Sequence, residues 1–177
     1  MMENSVLTSI ANQFGSPIYV YDAEKIEQQY TRLSKAFQHV SQLRINYAVK
    51  ALSNVNILSY LHSLGAGLDT VSIQEVKLGL YAGVPAQKII FTPNGVSLEE
   101  LEHAAALGVQ INIDNLTLLE QFGSKHPDVP VCVRINPHVM AGGNANISKI
   151  ILVNWCCRQH FLLFPYVLLF FSSLMFS

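Results

Sequence analysis

Short β-rich runs alternate with amphipathic helical runs from residue 17 to residue 136, and this alternation limits the chain more than any other property. Strands that follow one another through a helix return in parallel, so the pattern calls for a parallel sheet covered by crossover helices. The spacing predicts strands at Ile18 to Tyr21, Arg44 to Val49, Gly67 to Val71, Lys88 to Thr92, Val109 to Asp114 and Val131 to Asn136. Between them, Ile26, Tyr30, Leu33 and Phe37 form a helical stripe behind the cap Asp22, and Ile57, Leu58, Leu61 and Leu64 form a second. Ser72 with Glu75, and Ser97 with Glu100, match the capping box that opens a helix. The strands recur at the pitch of successive βα units, with no linker or low-complexity stretch between them.

Three of these strands carry a polar face. Asn46, Ala48 and Lys50 alternate with Ile45, Tyr47 and Val49; Gln110, Asn112 and Asp114 with Val109, Ile111 and Ile113; Cys132, Arg134 and Asn136 with Val131, Val133 and Ile135. A parallel sheet covered on both sides reads instead as nearly continuous apolar runs. The polar face therefore suits the inside of a barrel or cleft that holds a polar ligand. An antiparallel sheet with one wet face is the alternative, and the intervening helices speak against it.

The polar residues gather toward the C-terminal ends of the strands: Lys50, Asp69, Thr92 to Asn94, Asp114, and Arg134 to Asn136. Ligands bind at that edge in βα barrels and open α/β sheets, because loops and helix N-termini meet there. Each residue has two readings. Lys50 is either an amine nucleophile toward carbonyls or a lysine reaching from a strand end to water, and spacing alone favours the second. Asp69 either holds a ligand or ends its strand with a turn. Glu75 reads as a cap before it reads as an acid. Arg134 needs an anion or a structural carboxylate such as Asp114. Asn94-Gly95 is a turn first, and the Gly142-Gly143 segment lacks the spacing of a phosphate or dinucleotide loop. The histidines are scattered; His39, His62, His103 and His126 fall on helices or their ends and read as solvated. Cys156, Cys157 and His160 lack the separated pairs of a zinc site.

Charge divides the chain near Lys149. With 11 basic and 12 acidic side chains the formal net charge is −1, which excludes attraction to nucleic acid or an anionic membrane through bulk charge. Every one of those charges except Arg158 lies before residue 150. The expected organisation is a body over residues 1–148 and an unrelated apolar tail over residues 149–177, the product of a truncation or a shifted reading frame. Within the tail, the run from Phe161 to Phe176 contains Pro165 and is shorter than the ~20 residues of a membrane span. Three cysteines make no disulfide framework, and Glu3, Asn4 and Ser5 stand where a secretion signal would be basic and then apolar. A cytoplasmic protein is expected.

Taken in order, Pro17-Ile18-Tyr19-Val20-Tyr21-Asp22, Tyr47-Ala48-Val49-Lys50-Ala51, Gly65 to Ser72 with Glu75, Phe91-Thr92-Pro93-Asn94-Gly95 and Val133-Arg134-Ile135-Asn136-Pro137-His138 form a specific series. It resembles the pyridoxal-phosphate-dependent ornithine, diaminopimelate and arginine decarboxylases with an alanine-racemase-like barrel, and most of all their diaminopimelate branch. The resemblance covers about residues 14 to 148 and implies the N-terminal half of a (β/α)₈ barrel, an α/β fold, with Ile18 to Tyr21 pairing outside it. It implies pyridoxal 5'-phosphate held through a Schiff base on Lys50, with Ala48, Asp69 and Arg134 as neighbours of the cofactor. It implies decarboxylation of meso-diaminopimelate to L-lysine by a full-length homodimer. An alanine-racemase-like enzyme and a non-catalytic pyridoxal-binding barrel are the alternatives. After Ser148 the likeness stops, so the histidine that stacks on the ring, the phosphate loop and the acidic partner of the ring nitrogen are missing. The expectation for these 177 residues is therefore an inactive fragment, with open sheet edges unless the tail docks on them.

Overall fold

The computed structural model describes residues 2–134 and two short strands beyond them, Trp155–Cys156 and Leu168–Phe170. The chain divides into two units, Met1–Phe37 and Gln38–Ser177.

The first unit holds helices α1 (Asn4–Phe14) and α2 (Ala23–Ala36). Asp22 caps α2 by accepting a hydrogen bond from the Lys25 amide at 3.0 Å, as its place in the sequence predicts. Ile26, Tyr30, Leu33 and Phe37 are half-buried along one stripe. Helix α1 has no capping side chain, but it carries Leu7, Ile10, Ala11 and Phe14 at helical spacing, a stripe that lies before the stretch read from the sequence. The segment from Ile18 to Tyr21 corrects the sequence reading: it forms no strand, and its four side chains are 41%, 91%, 37% and 41% exposed. Local β-propensity is weak without a ladder to join, and none is described here for these residues.

The second unit is built on a sheet. Its strands are β1 (Arg44–Ala48), β2 (Gly67–Thr70), β3 (Ile89–Phe91), β4 (Gln110–Ile113) and β5 (Val131–Val133). Neighbours in sequence are neighbours in space, and all four pairings are parallel. Between them run α3 (Val55–Ser63), α4 (Ile73–Tyr81), α5 (Leu98–Ala106) and α6 (Leu116–Lys125). This is the βα progression of an N-terminal half barrel, and each predicted strand from Arg44 onward is found within one or two residues over the described part. Two tail segments join the edges: β6 (Trp155–Cys156) lies antiparallel to β5, and β7 (Leu168–Phe170) lies parallel to β1. The resulting order is β6-β5-β4-β3-β2-β1-β7, so both edges of the five-stranded parallel core are paired.

Helix starts follow their caps. Ser97 and Glu100 form a reciprocal capping box on α5, while Ser72 accepts from the Glu75 amide at 3.2 Å on α4. Glu75 itself reaches past Ser72 to the Val71 amide at 2.7 Å. The helices press Leu58, Leu61, Ile73, Val76, Leu101, Ala104 and Phe122 inward, all buried, onto the apolar face of Ile45, Tyr47, Leu68, Ile111 and Ile113. The opposite face is buried as well, through Asn46, Ala48, Asp69, Ile90, Asn112 and Cys132. Among the described residues no helix is long and apolar enough to cross a membrane.

Gly67 opens β2 opposite Asn46 because no other residue fits. A β-carbon there would collide with Asn46 Oδ1 and come within 2.6 Å of the Lys88 carbonyl oxygen, which belongs to the backbone and cannot step aside. Gly67→Ala is expected to lower stability by about 1–3 kcal/mol. The check is a lower urea midpoint at unchanged slope; an unchanged midpoint would show that the contact relaxes freely.

Candidate functional site

The register brings the polar face into line. Ala48 pairs with Asp69, Asp69 with Ile90, Ile90 with Gln110, and Asn112 with Cys132, so these side chains share one side of the sheet. Thr92 and Arg134 follow directly on β3 and β5 and continue the ladder through their amides, Thr92 to the Thr70 carbonyl at 2.7 Å and Arg134 to the Ile113 carbonyl at 2.8 Å. They thus stand on the same side at its C-terminal edge. Lys50 lies at that edge too, in the single 3₁₀ turn Val49–Ala51 after β1, and is exposed.

Asp69 is the electrostatic centre. It is 5% exposed, and burial pushes its carboxyl up from 3.8 to about 6 against the Thr92 hydrogen bond and the charges of Lys50 and Arg134, with Glu75 adding a smaller upward push. Thr92 Oγ1 donates to Asp69 Oδ1 at 2.8 Å, and Asn112 Nδ2 donates to Thr92 Oγ1 at 2.9 Å. Two amide side chains on the face keep buried atoms without partners among the described residues: Asn112 Oδ1, and both Oδ1 and Nδ2 of Asn46.

Of the four residues singled out by sequence, the structure gathers Ala48, Lys50, Asp69 and Arg134 at one end of one sheet face. Asp69 does not merely end a strand; it lies inside β2. Arg134 is half-buried and not paired with Asp114, which is exposed; among the described residues Glu102 pairs with Lys125 at 3.1 Å and hydrogen-bonds His126 at 3.2 Å. His126 keeps about a third of its side chain exposed (34%) and sets its ring tilted against Phe122, with centroids 4.9 Å apart. Thr92 and Asn112 stood in the sequence only as members of a polar edge and a polar face. Their link to Asp69 depends on strand register, which alternation alone does not fix. The Gly142-Gly143 segment, Asn136 to His138, and His160 with Cys157 lie outside the described residues, as does the side chain of Cys156.

The donor set fits an anionic aldehyde cofactor with an aromatic ring. It offers an accessible amine in Lys50, a small side chain in Ala48, a fixed cation in Arg134, a buried carboxyl with raised proton affinity in Asp69, and an unpartnered buried amide oxygen in Asn112.

Comparison with known proteins agrees with that chemistry. The family model described as "Pyridoxal-dependent decarboxylase, pyridoxal binding domain" matches residues 23–149. The diaminopimelate decarboxylase of Methanothermobacter thermautotrophicus is 36% identical over 135 residues, which is 75% of this chain and 32% of that protein. The one from Pseudomonas fluorescens is 37% identical over 154 residues, 82% of this chain and 36% of that protein. Among solved structures, Helicobacter pylori diaminopimelate decarboxylase complexed with L-lysine superposes with a TM-score of 0.68 at 33% identity, covering 75% of this chain and 35% of that one. Vibrio vulnificus lysine/ornithine decarboxylase complexed with putrescine gives 0.65 at 31%, covering 73% and 35%. The chain spans about a third of the length of the relatives it matches.

Proposed function

The chain belongs to the pyridoxal-dependent decarboxylase family, and on that premise we propose that it is the lysine-bearing part of an enzyme that decarboxylates meso-diaminopimelate to L-lysine with pyridoxal 5'-phosphate. The observation that carries the reading is the convergence of Lys50, Ala48, Asp69 and Arg134 at the C-terminal edge of one sheet face.

In that reading Lys50 supplies the amine that holds the cofactor, and the small side chain of Ala48 leaves room beside it. When bound, the cofactor supplies an electron sink for the pair left behind by the departing carboxylate. Lys50, once its amine is free, holds and moves a proton at Nζ. Arg134 contributes a charge that does not titrate, and Asp69, with a carboxyl near 6, balances Lys50 and Arg134 without being locked in one protonation state. The choice of substrate is supported by the diaminopimelate decarboxylases among the relatives, including the Helicobacter pylori enzyme in complex with L-lysine. A cytoplasmic location and a homodimeric full-length enzyme belong to the same reading.

The test is a fusion of residues 1–148 to the remaining two thirds of the Pseudomonas fluorescens relative, loaded with pyridoxal phosphate. Carbon dioxide release with formation of lysine from meso-diaminopimelate is expected. Release from ornithine or arginine instead, or racemisation of alanine without release, would overturn the choice of reaction. The 177-residue chain by itself is expected to give no turnover, because orientation of cofactor and substrate needs groups from the other two thirds. Measurable turnover by that chain would contradict this.

A further inference from the structure

We infer that Thr92 and Asn112 are positioning residues for the Asp69 carboxyl, acting as a one-way hydrogen-bond relay across β4, β3 and β2 that commits Oδ1 as an acceptor and leaves Oδ2 as the oxygen that exchanges a proton. The inference deepens the proposed reading of the site and rests on it for any consequence in catalysis.

The direction of the relay follows from the inventory of donors. A threonine hydroxyl has one proton and can accept through its lone pairs, while an amide nitrogen only donates. Asn112 Nδ2 donates into Thr92 Oγ1 at 2.9 Å, so the hydroxyl proton cannot point toward Asn112 and goes to Asp69 Oδ1 at 2.8 Å. The opposite orientation of the Asn112 amide would set its oxygen and the Asp69 carboxylate in competition for one proton. Asn112, Thr92 and Asp69 are 1%, 6% and 5% exposed, so water does not stand in for a missing partner. The strands fix the spacing. Ile111 pairs with Phe91, which sets Asn112 opposite Thr92, and the Thr92 amide is held to the Thr70 carbonyl at 2.7 Å, next to Asp69.

The relay has one consequence for acidity. A hydrogen bond donated to the carboxylate favours its ionised form, so the relay opposes the burial that pushes the group up. Lys50 and Arg134 act in the same direction as the relay and Glu75 acts against it; these are the charged groups that bear on Asp69. Of all these contributions the hydroxyl is the one that orients the carboxyl as well as shifting it.

The experiment is a carbon-13 NMR titration of the Asp69 carboxyl in the 177-residue chain without cofactor, so that its failure is separate from failure of the proposed function. Thr92→Val, equal in shape but without the hydroxyl, is expected to move the midpoint upward by about one to two pH units. Thr92→Ser is expected to restore it, and Asn112→Leu to move it in the same direction by less. A midpoint unmoved in Thr92→Val, or moved equally by Thr92→Ser, overturns the relay; one unmoved in Asn112→Leu removes Asn112 from it. Should the valine variant not fold, the unaltered chain still decides. Its Thr92 hydroxyl proton is expected to exchange slowly with solvent above the Asp69 midpoint, and fast exchange there overturns the assignment.

Discussion

Lys50→Ala is expected to abolish specific borohydride-stable labelling of the chain by pyridoxal phosphate, and to lower turnover of the active fusion roughly 10²–10⁴-fold through loss of the group that moves protons. The prediction separates chemistry from stability because Lys50 is exposed, in a short 3₁₀ turn, with Val49 beside it supplying the buried contact. Surface substitutions of this kind usually change stability by less than about 0.5 kcal/mol, so a large loss of labelling is not a loss of fold. Position in the sheet supplies the control. Lys88 precedes β3 and stands at the opposite, N-terminal edge, Lys77 lies within α4, and Lys125 is held by Glu102 at 3.1 Å. Peptide mapping of the labelled chain should therefore place the label on the peptide that contains Lys50. A label on Lys77 or Lys88, or undiminished labelling of Lys50→Ala, would refute the assignment.

The parallel sheet was legible in the sequence because its evidence is local and repeated. Alternation marks each strand, capping residues such as Asp22, Ser72 and Ser97 mark helix starts, and each signal survives an error in its neighbour. Ile18 to Tyr21 shows where that logic ends. The same β-rich composition without a partner strand leaves Ile18 to Tyr21 exposed and outside any strand, since a strand is defined by its ladder. The composition of the site was legible for a related reason: polar residues at strand ends are counted from the sequence, and Lys50, Asp69 and Arg134 are each near an end. What joins them was not. The hydrogen bonds from Asn112 to Thr92 and from Thr92 to Asp69 span residues about twenty apart and exist because three strands fall into one register. Likewise, the pairing of β6 and β7 with β5 and β1 follows from the open edges of the core, which offer unpaired backbone groups to any segment that reaches them.

Asp69→Asn is expected to stabilise the chain at neutral pH while impairing the site. Burial raises the folded carboxyl from 3.8 to about 6, so the folded state holds that proton more tightly than the unfolded state. Stability contributed by the protonated group is thus fully present below pH 4, declines as pH rises between about 4 and 6, and is gone above that window. The difference of about two pH units corresponds to about 3 kcal/mol carried as a burden by the ionised carboxylate at pH 7 and above. Asparagine keeps an oxygen for the Thr92 hydroxyl and never ionises, so it escapes that burden. Its urea midpoint should exceed that of the unaltered chain at pH 8 and approach it at pH 4, with a thermal gain at neutral pH of roughly 6–12 °C for a domain of this size. A variant less stable at pH 8 would mean that attraction to Lys50 and Arg134 outweighs burial and that the folded carboxyl lies below its ordinary value. The expected sign identifies Asp69 as a residue whose place in the fold lowers stability, and a destabilising buried charge beside an exposed lysine and a half-buried arginine is what a binding or catalytic site requires and a structural core does not.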